Sequence, residues 1–398
     1  MKILFISPNS PFESIGGIER YVVNLINYYK NFQNGEVFLI LPTAGKSYSK
    51  KEGSITVYFE STFSIPKDLE HNQKEMTKKA HLFIGLVEKI IKENKIEIIC
   101  AENLIFGPPP VYSLLLNMIA TSHEIPLILR LHSFATTDLQ VELLNQLMWK
   151  QISCVSKSVA GDCFNKGADI STLATHYLGV NIQEFNNQKT IFKLREQLKL
   201  PPKSKIVLTA SRLIRGKRNI LQEKGIINLI QAFSKIAPYN PQLRLLIAVG
   251  KAPQIFENEF KGAYEMLMGY IKLHNMESST VVEMFQLDEM PQVYRECDVF
   301  ALPSQNETFG QVFIESMSCG LPMIGTKVGG IPEIISDSYN GYLIQPDDAS
   351  ILAQKIEILI KDKTIRKNFI KAGLKTVKER FDSNQQFSSF QNTLESII

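Results

Sequence analysis

Two glutamates eight positions apart, Glu307 and Glu315, lie in the segment with the most chemical information, residues 303–333. Phe309 and Gly310 stand between them in a context typical of the start of a helix, which predicts one carboxylate on a loop and the other on the helix. Carboxylates are strong acceptors for the hydroxyls of a ribose or a hexose. A helix N-terminus between them favours a diphosphate. The segment therefore predicts a site for a sugar joined to a nucleoside diphosphate.

Basic side chains follow the strand that we predict at residues 205–209. Arg212 stands just past that strand, and ligands of open α/β sheets bind at the carboxyl ends of the strands. Lys224 directly precedes a helix that we predict at 226–236. Cations in such places can stabilise the charge that develops on a departing diphosphate.

The pattern Pro-Ser-x-x-Glu-Thr-Phe-Gly-x-x-x-Ile-Glu, from residue 303 onwards, resembles the retaining glycosyltransferases of glycosyltransferase family four, also called group 1. The resemblance covers nearly the whole chain and is densest over residues 212–333. It implies an α/β GT-B fold, in which two Rossmann-like parallel-sheet domains face a central cleft. It also implies transfer of a hexosyl or N-acetylhexosaminyl group from a nucleotide-diphosphate sugar to an acceptor hydroxyl, with retained anomeric configuration.

The resemblance assigns catalytic roles to four residues: His132, Arg212, Lys224 and Glu307. Arg212 and a lysine contact the diphosphate; Lys224 is the first choice and Lys217 the alternative, because this loop is longer than is usual in the family. Glu307 faces the donor sugar, and His132, at the end of a strand predicted at 127–131, contacts that sugar. The donor-binding residues are Gly17, Lys217, Phe309, Gly310, Gln311 and Glu315, of which Glu315 binds the ribose.

Metal and cofactor chemistry are not predicted. The sequence lacks the Asp-x-Asp pair that clamps a metal in other transferases, and its five cysteines are scattered without Cys-x-x-Cys spacing. We therefore expect no catalytic metal, no cofactor, and reduced, mostly buried thiols in a cytoplasmic protein.

Composition bounds the remaining function classes. The chain has 398 residues, which suits two domains, and its net charge of +4 is too small for a typical nucleic-acid binder. No apolar run approaches the roughly 20 residues that span a bilayer. A basic amphipathic helix at residues 74–95 could lie on anionic lipid, but an ordinary helix that packs its apolar face on a sheet is favoured.

Strands alternate with helices throughout, which predicts parallel sheets. We expect an acceptor-side domain at 1–180, a nucleotide-sugar-binding domain at 181–375, and a C-terminal helix at 376–398 that crosses back onto the first domain. The donor is expected to be UDP-N-acetylglucosamine or UDP-glucose at the level of the family.

The acceptor stays open between an aminocyclitol, a saccharide and a lipid-linked saccharide. Its pocket is expected in loops at 8–15, 43–67 and 102–110. Acidic residues there or nearby, Glu13, Glu102 and Asp138, are interpreted mainly as surface charge. Three alternatives to a glycosyltransferase of soluble acceptors stay in view: a sugar-nucleotide epimerase of GT-B fold, a peripheral membrane transferase with a lipid-linked acceptor, and a non-catalytic sensor, against which the complete set of charged residues argues.

Overall fold

The chain divides into two compact units. The computed structural model describes residues 1–12, 16–63, 73–214, 219–250 and 257–398. Unit 1 comprises Met1–Glu13, Ile18–Tyr177 and Asn384–Ile398, and unit 2 comprises Ser14–Gly17 and Leu178–Ser383. Each unit contains one sheet with its own helices.

Unit 1 contains an eight-stranded sheet with the order β3-β4-β2-β1-β5-β6-β7-β8. Its strands are β1 (Lys2–Ile6), β2 (Glu36–Pro42), β3 (Tyr48–Glu52), β4 (Ile55–Glu60), β5 (Ile98–Glu102), β6 (Leu127–Leu131), β7 (Gln151–Cys154) and β8 (Leu173–Thr175). Its first helices are α1 (Gly17–Tyr29), α2 (Gln73–Asn94), α3 (Pro110–Ser122), α4 (Asp138–Gln146) and α5 (Lys157–Asn165). The central strands pair in parallel and consist mostly of buried apolar residues, as expected for a sheet covered on both faces.

The prediction of a loop at 43–67 is wrong for its central part, where the antiparallel pair β3–β4 forms the edge of the sheet. Lys50 and Lys51 in β3 are exposed, and the strand has no buried face. A strand of this kind lacks the apolar alternation by which strands are recognised in a sequence, and charged lysines are typical of edge strands.

Unit 2 contains a six-stranded parallel sheet with the order β11-β10-β9-β12-β13-β14. Its strands are β9 (Lys205–Arg212), β10 (Leu243–Gly250), β11 (Thr280–Phe285), β12 (Val299–Ala301), β13 (Met323–Thr326) and β14 (Tyr342–Ile344). Its helices are α6 (Leu194–Gln197), α7 (Ile220–Glu223), α8 (Ile226–Ile236), α9 (Glu257–Leu273), α10 (Met290–Glu296), α11 (Gln311–Ser318), α12 (Ile331–Ile334), α13 (Ala349–Lys361) and α14 (Lys363–Arg380). The last helix, α15 (Ser383–Ile397), belongs to unit 1 from Asn384 onwards.

Both sheets reverse their strand order at one point. In unit 2 the chain runs outward from β9 to β11 and then returns to place β12 on the other side of β9; in unit 1 the same reversal lies between β1 and β5. A crevice forms at such a switch point outside the carboxyl ends of the strands, and ligands of doubly wound sheets bind there. The fold therefore places Arg212, at the end of β9, and Glu102, at the end of β5, at the two switch points where ligands are expected.

None of the described helices combines the length and the apolarity needed to cross a bilayer. All five cysteines are free thiols, and four of them are buried, which confirms the prediction for these side chains.

Candidate active site

Lys224 of unit 2 is positioned by a close approach between two loops. Gly225, the N-cap of α8, has a φ of +67°, and a Cβ added there would lie 1.8 Å from the carbonyl oxygen of Pro303. The backbone N–H of Gln305 donates to the carbonyl of Glu223 at 2.8 Å. Only glycine fits this contact. The contact packs the segment before α8 against the segment that follows β12.

An ion pair results from this contact between Lys224 and Glu307. The Nζ of Lys224 lies 2.9 Å from Oε2 of Glu307, and the two side chains are 21% and 13% exposed. Partial burial strengthens such a charge-assisted hydrogen bond relative to one on the open surface. The structure thus brings together a cation and a carboxylate that are 83 residues apart in the chain.

A pair of neighbouring glycines, Gly329 and Gly330, supports the backbone of Glu307. Gly329 has a φ of +51°, and a Cβ there would lie 1.7 Å from the carbonyl oxygen of Glu307. The N–H of Gly330 donates to that same carbonyl at 3.0 Å. The Gly-Gly pair is therefore needed so that the loop after β13 can hold the loop that carries Glu307.

The helix α11 begins directly after this loop. Gly310 is its N-cap and supplies no side-chain cap to the first backbone N–H groups. Gln311, the first helical residue, is 7% exposed, and both polar atoms of its side chain lack a hydrogen-bond partner among the described residues. Phe309 is buried and packs edge-on against Phe381 at 5.9 Å between ring centroids. A helix start of this kind carries a partial positive charge that suits an anion.

Glu315 lies a little over one turn into α11, and it is 6% exposed. The phenol O–H of Tyr294, on α10, donates to Oε2 of Glu315 at 3.2 Å. Tyr294 is fully buried, and its hydrogen bond fixes the position of the carboxylate. No sequence pattern predicts the role of this tyrosine, because that role depends on how α10 packs beside α11.

Arg212 is the last residue of β9 and is exposed, and it pairs in register with Gly250 of β10. Among the described residues its side chain forms no hydrogen bond or ion pair. A guanidinium at the carboxyl end of the central strand can therefore bind a ligand without first breaking a contact. Lys217, the alternative phosphate lysine, lies outside the described residues, as do Arg215 and Arg218.

His132 of unit 1 follows β6 and is buried, at 6% exposed. Its Nε2 lies 2.9 Å from Oε2 of Glu102, and burial lowers the pKa of His132 although the neighbouring Glu102 raises it. Gly17 is the exposed first residue of α1. The structure describes no contact that assigns Gly17 a ligand, and its donor-binding role stays a prediction.

The interpretation of Glu102 as surface charge is wrong, since this residue is fully buried at the end of β5. A single glutamate that ends an apolar strand was the available signal. Asp138 is the first residue of α4 and is exposed, and Glu13 lies outside the described residues. The described residues contain no cluster of three or more His, Cys, Asp or Glu side chains that could hold a metal ion.

The chain is similar to glycosyl-transferring proteins in both sequence and structure. Residues 190–376 match the family model described as "Glycosyl transferases group 1". N-acetyl-alpha-D-glucosaminyl L-malate synthase of Bacillus anthracis is 27% identical over 222 residues, which cover 54% of this chain and 53% of that relative. This chain therefore aligns with about half of that relative's length.

A longer alignment joins the chain to sulfoquinovosyl transferase SQD2 of Arabidopsis thaliana, which is 24% identical over 98% of this chain and 72% of the relative. Among solved structures, the HepE protein of Anabaena in complex with UDP and glucose is similar with a TM-score of 0.77. That match is 20% identical in sequence and covers 100% of both chains. A further crystal structure of HepE contains UDP-glucose.

Proposed function

We propose that this chain transfers a sugar from a UDP-sugar to an acceptor hydroxyl, because its residues 190–376 match the model of the group 1 glycosyl transferases and its fold is similar to that of HepE. The predicted pair of parallel-sheet α/β domains is confirmed. The proposal further specifies a hexosyl or N-acetylhexosaminyl group and retention of the anomeric configuration.

The observation that carries the proposal is the Lys224–Glu307 pair beside the uncapped start of α11. Here a cation, a carboxylate and a set of backbone N–H donors converge at the switch point of the unit 2 sheet. A diphosphate needs the cation and the N–H groups, and a sugar needs the carboxylate.

In the proposed mechanism the leaving diphosphate develops negative charge, which Lys224, Arg212 and the N-terminus of α11 stabilise. An ammonium group has three N–H donors. Lys224 can therefore bind a phosphate oxygen while it still donates to Glu307, and the carboxylate stays fixed for a sugar hydroxyl. The acceptor hydroxyl attacks the anomeric carbon on the side of the departing phosphate, which takes its proton.

The donor is proposed to be UDP-glucose or UDP-N-acetylglucosamine. HepE binds UDP and UDP-glucose, and the name of the Bacillus anthracis relative refers to an N-acetylglucosaminyl group. Glu315 is proposed to bind the two ribose hydroxyls through its carboxylate, which Tyr294 holds in place. The free thiols support a reducing compartment, and we propose the cytoplasm.

A thermal-shift panel of nucleotides tests the proposal. UDP, UDP-glucose and UDP-N-acetylglucosamine are expected to raise the unfolding temperature, because a ligand of the folded state stabilises by about 2.7 kcal/mol at one hundred times its Kd. The matched control is Glu315→Gln, which keeps the shape of the side chain and is expected to lose most of the shift. Equal shifts in the wild-type protein and this variant, or no shift with any UDP compound, would contradict the proposal.

A further inference from the structure

A buried group of polar side chains lies at the switch point of the unit 1 sheet. Glu102, which ends β5, is 0% exposed, and both of its carboxylate oxygens are engaged. Oε2 lies 2.9 Å from Nε2 of His132, and Oε1 accepts from the phenol O–H of Tyr21 at 3.1 Å. An ionised carboxylate is costly to bury unless its oxygens are paired. The two partners of Glu102 therefore offset this cost, and the position of Glu102 calls for a functional explanation.

The charged groups around His132 come from three elements. Glu102 belongs to β5, Arg130 to β6 with its Nε 3.9 Å from Oε2 of Glu102, and Glu19 to α1, where it accepts from Nδ2 of Asn9 at 3.0 Å. Tyr21 also belongs to α1, and its ring centroid lies 5.0 Å from that of His132. Burial raises the pKa of the Tyr21 phenol well above its usual value, so this group stays a neutral donor to Glu102.

We propose that Glu102 is the positioning residue of His132: it accepts a hydrogen bond from Nε2–H, fixes that tautomer, and leaves Nδ1 as an acceptor for a hydroxyl of the bound sugar. The inference rests on the proposed function, which supplies the sugar. Nδ1 of His132 is buried and has no hydrogen-bond partner among the described residues. It is therefore the ring nitrogen that still needs a partner.

The protonation of His132 supports the same assignment. Burial is the largest influence and lowers the pKa of His132, Arg130 lowers it as well, and Glu102 raises it; the net lowering favours the neutral ring. A neutral imidazole has one N–H and one lone pair, and the partner of the first nitrogen decides which nitrogen carries the lone pair. Because a carboxylate only accepts, the N–H lies at Nε2 and the lone pair at Nδ1.

The backbone of His132 is held as well as its ring. The N–H of His132 donates to Oδ1 of Asn103 at 3.1 Å, and Asn103 directly follows Glu102. The end of β5 therefore holds both the main chain and the side chain of His132. A shift of the β5 end would move His132 with it, which is the behaviour expected of a positioning element.

The first test measures the tautomer and requires no substrate. Nuclear magnetic resonance of protein labelled with nitrogen-15 histidine reports which ring nitrogen carries the proton. We expect the wild-type His132 ring to be protonated at Nε2 at pH 7, and Glu102→Gln to lose this preference, because an amide can donate as well as accept. A wild-type ring protonated at Nδ1, or a tautomer unchanged in Glu102→Gln, would overturn the proposal.

The second test is a double-mutant cycle on the rate of UDP release from the UDP-sugar. Glu102→Gln is expected to lower kcat by about 10- to 100-fold, the range found for outer partners of functional histidines in metal sites. In a His132→Ala background the same change is expected to alter kcat less than about threefold, because Glu102 then has no ring to position. Additive losses would mean that Glu102 acts independently of His132, and they would refute the proposal.

The controls separate this inference from the proposed function. Unfolding temperatures of all variants identify any that fail to fold, and Tyr21→Phe is a milder variant that removes one hydrogen bond to Glu102. The Kd of UDP is expected to be unchanged in Glu102→Gln. If no UDP-sugar reacts or binds, the proposed function fails while the tautomer measurement still decides the role of Glu102.

Discussion

Replacing Lys224 by methionine removes its charge while it keeps the length of the side chain, and it should cost both stability and turnover. The Lys224–Glu307 pair is 21% and 13% exposed, which lies between a surface pair and a buried one. Surface pairs contribute about 0–1 kcal/mol, and removal of one partner from a buried pair costs about 3–5 kcal/mol. We therefore expect Lys224→Met to lower the free energy of unfolding by about 1–3 kcal/mol.

The turnover should fall further than the stability explains. Removal of one preorganised donor to a developing oxyanion costs about 3 kcal/mol, which corresponds to about a hundredfold loss of kcat. The assay is the initial rate of UDP release from the UDP-sugar that gives the largest thermal shift, with water as the acceptor. Denaturant unfolding of the same preparations measures the stability.

Arg212→Met is the matched control for the stability term. Arg212 is exposed and forms no ion pair with a described residue, so its loss should change the free energy of unfolding by less than about 0.5 kcal/mol. Its turnover should nevertheless fall about as far as that of Lys224→Met. Wild-type turnover in either folded variant would refute the reasoning that these cations stabilise a departing diphosphate.

Further predictions concern backbone, protonation, metal and stereochemistry. Gly329→Ala should lower the free energy of unfolding by more than about 2 kcal/mol, because the added Cβ would lie 1.7 Å from the carbonyl oxygen of Glu307. The matched control is Gly262→Ala in α9, where a Cβ meets open space. This variant should raise the free energy of unfolding by about 0.5–1 kcal/mol in the same denaturant titration. Burial lowers the pKa of His176 to about 4, whereas in the unfolded chain the histidine has its usual pKa of about 6.5. Between these two pH values the unfolded chain binds a proton at His176 and the folded protein does not. Stability should therefore decrease by about 2–3 kcal/mol over this window, and His176→Gln should flatten the decrease; an identical pH dependence in both proteins would contradict the assignment. EDTA should leave the rate of UDP release unchanged, and a loss restored by added Mg²⁺ would contradict a mechanism in which Lys224 and Arg212 provide the cationic charge. An α-linked donor should give an α-linked product, which proton couplings of the product would measure, and a β-linked product would exclude retention.

The strands and helices that the sequence predicted best are those whose pattern matches their burial. The strand 127–131 and the helix 226–236 have the predicted bounds in the structure. The strand is a short, mainly apolar run followed by a polar residue, and the helix has an apolar face with helical spacing. The exposed strand β3 could not be predicted in this way, because lysines on both of its faces hide its period.

The candidate site likewise contains residues that a sequence pattern predicts and contacts that it does not predict. Glu307, Gly310 and Glu315 are predicted from the family resemblance of their motif, in which two carboxylates eight positions apart and a glycine before a helix are visible in the sequence. The Lys224–Glu307 pair is a tertiary contact, made by the approach of Gly225 to the carbonyl of Pro303. Partners of this kind depend on the packing of distant loops, and no local pattern predicts them.

Glu102 shows most clearly that the burial of a charged residue cannot be predicted from its local sequence. A carboxylate after an apolar strand has the same local sequence whether it points to solvent or is covered by other elements. Here Glu102 is fully buried and its two oxygens contact Tyr21 of α1 and His132 after β6, and both partners are far from it in the chain. Only the assembled sheet shows that this residue is part of the buried polar group.

The most direct test of the account is a crystal structure of the protein with UDP bound. We expect the diphosphate within hydrogen-bond distance of Nζ of Lys224 and of the guanidinium of Arg212, with the ribose hydroxyls on the carboxylate of Glu315. UDP bound elsewhere on the molecule, with these three side chains unchanged from the arrangement described above, would contradict the account.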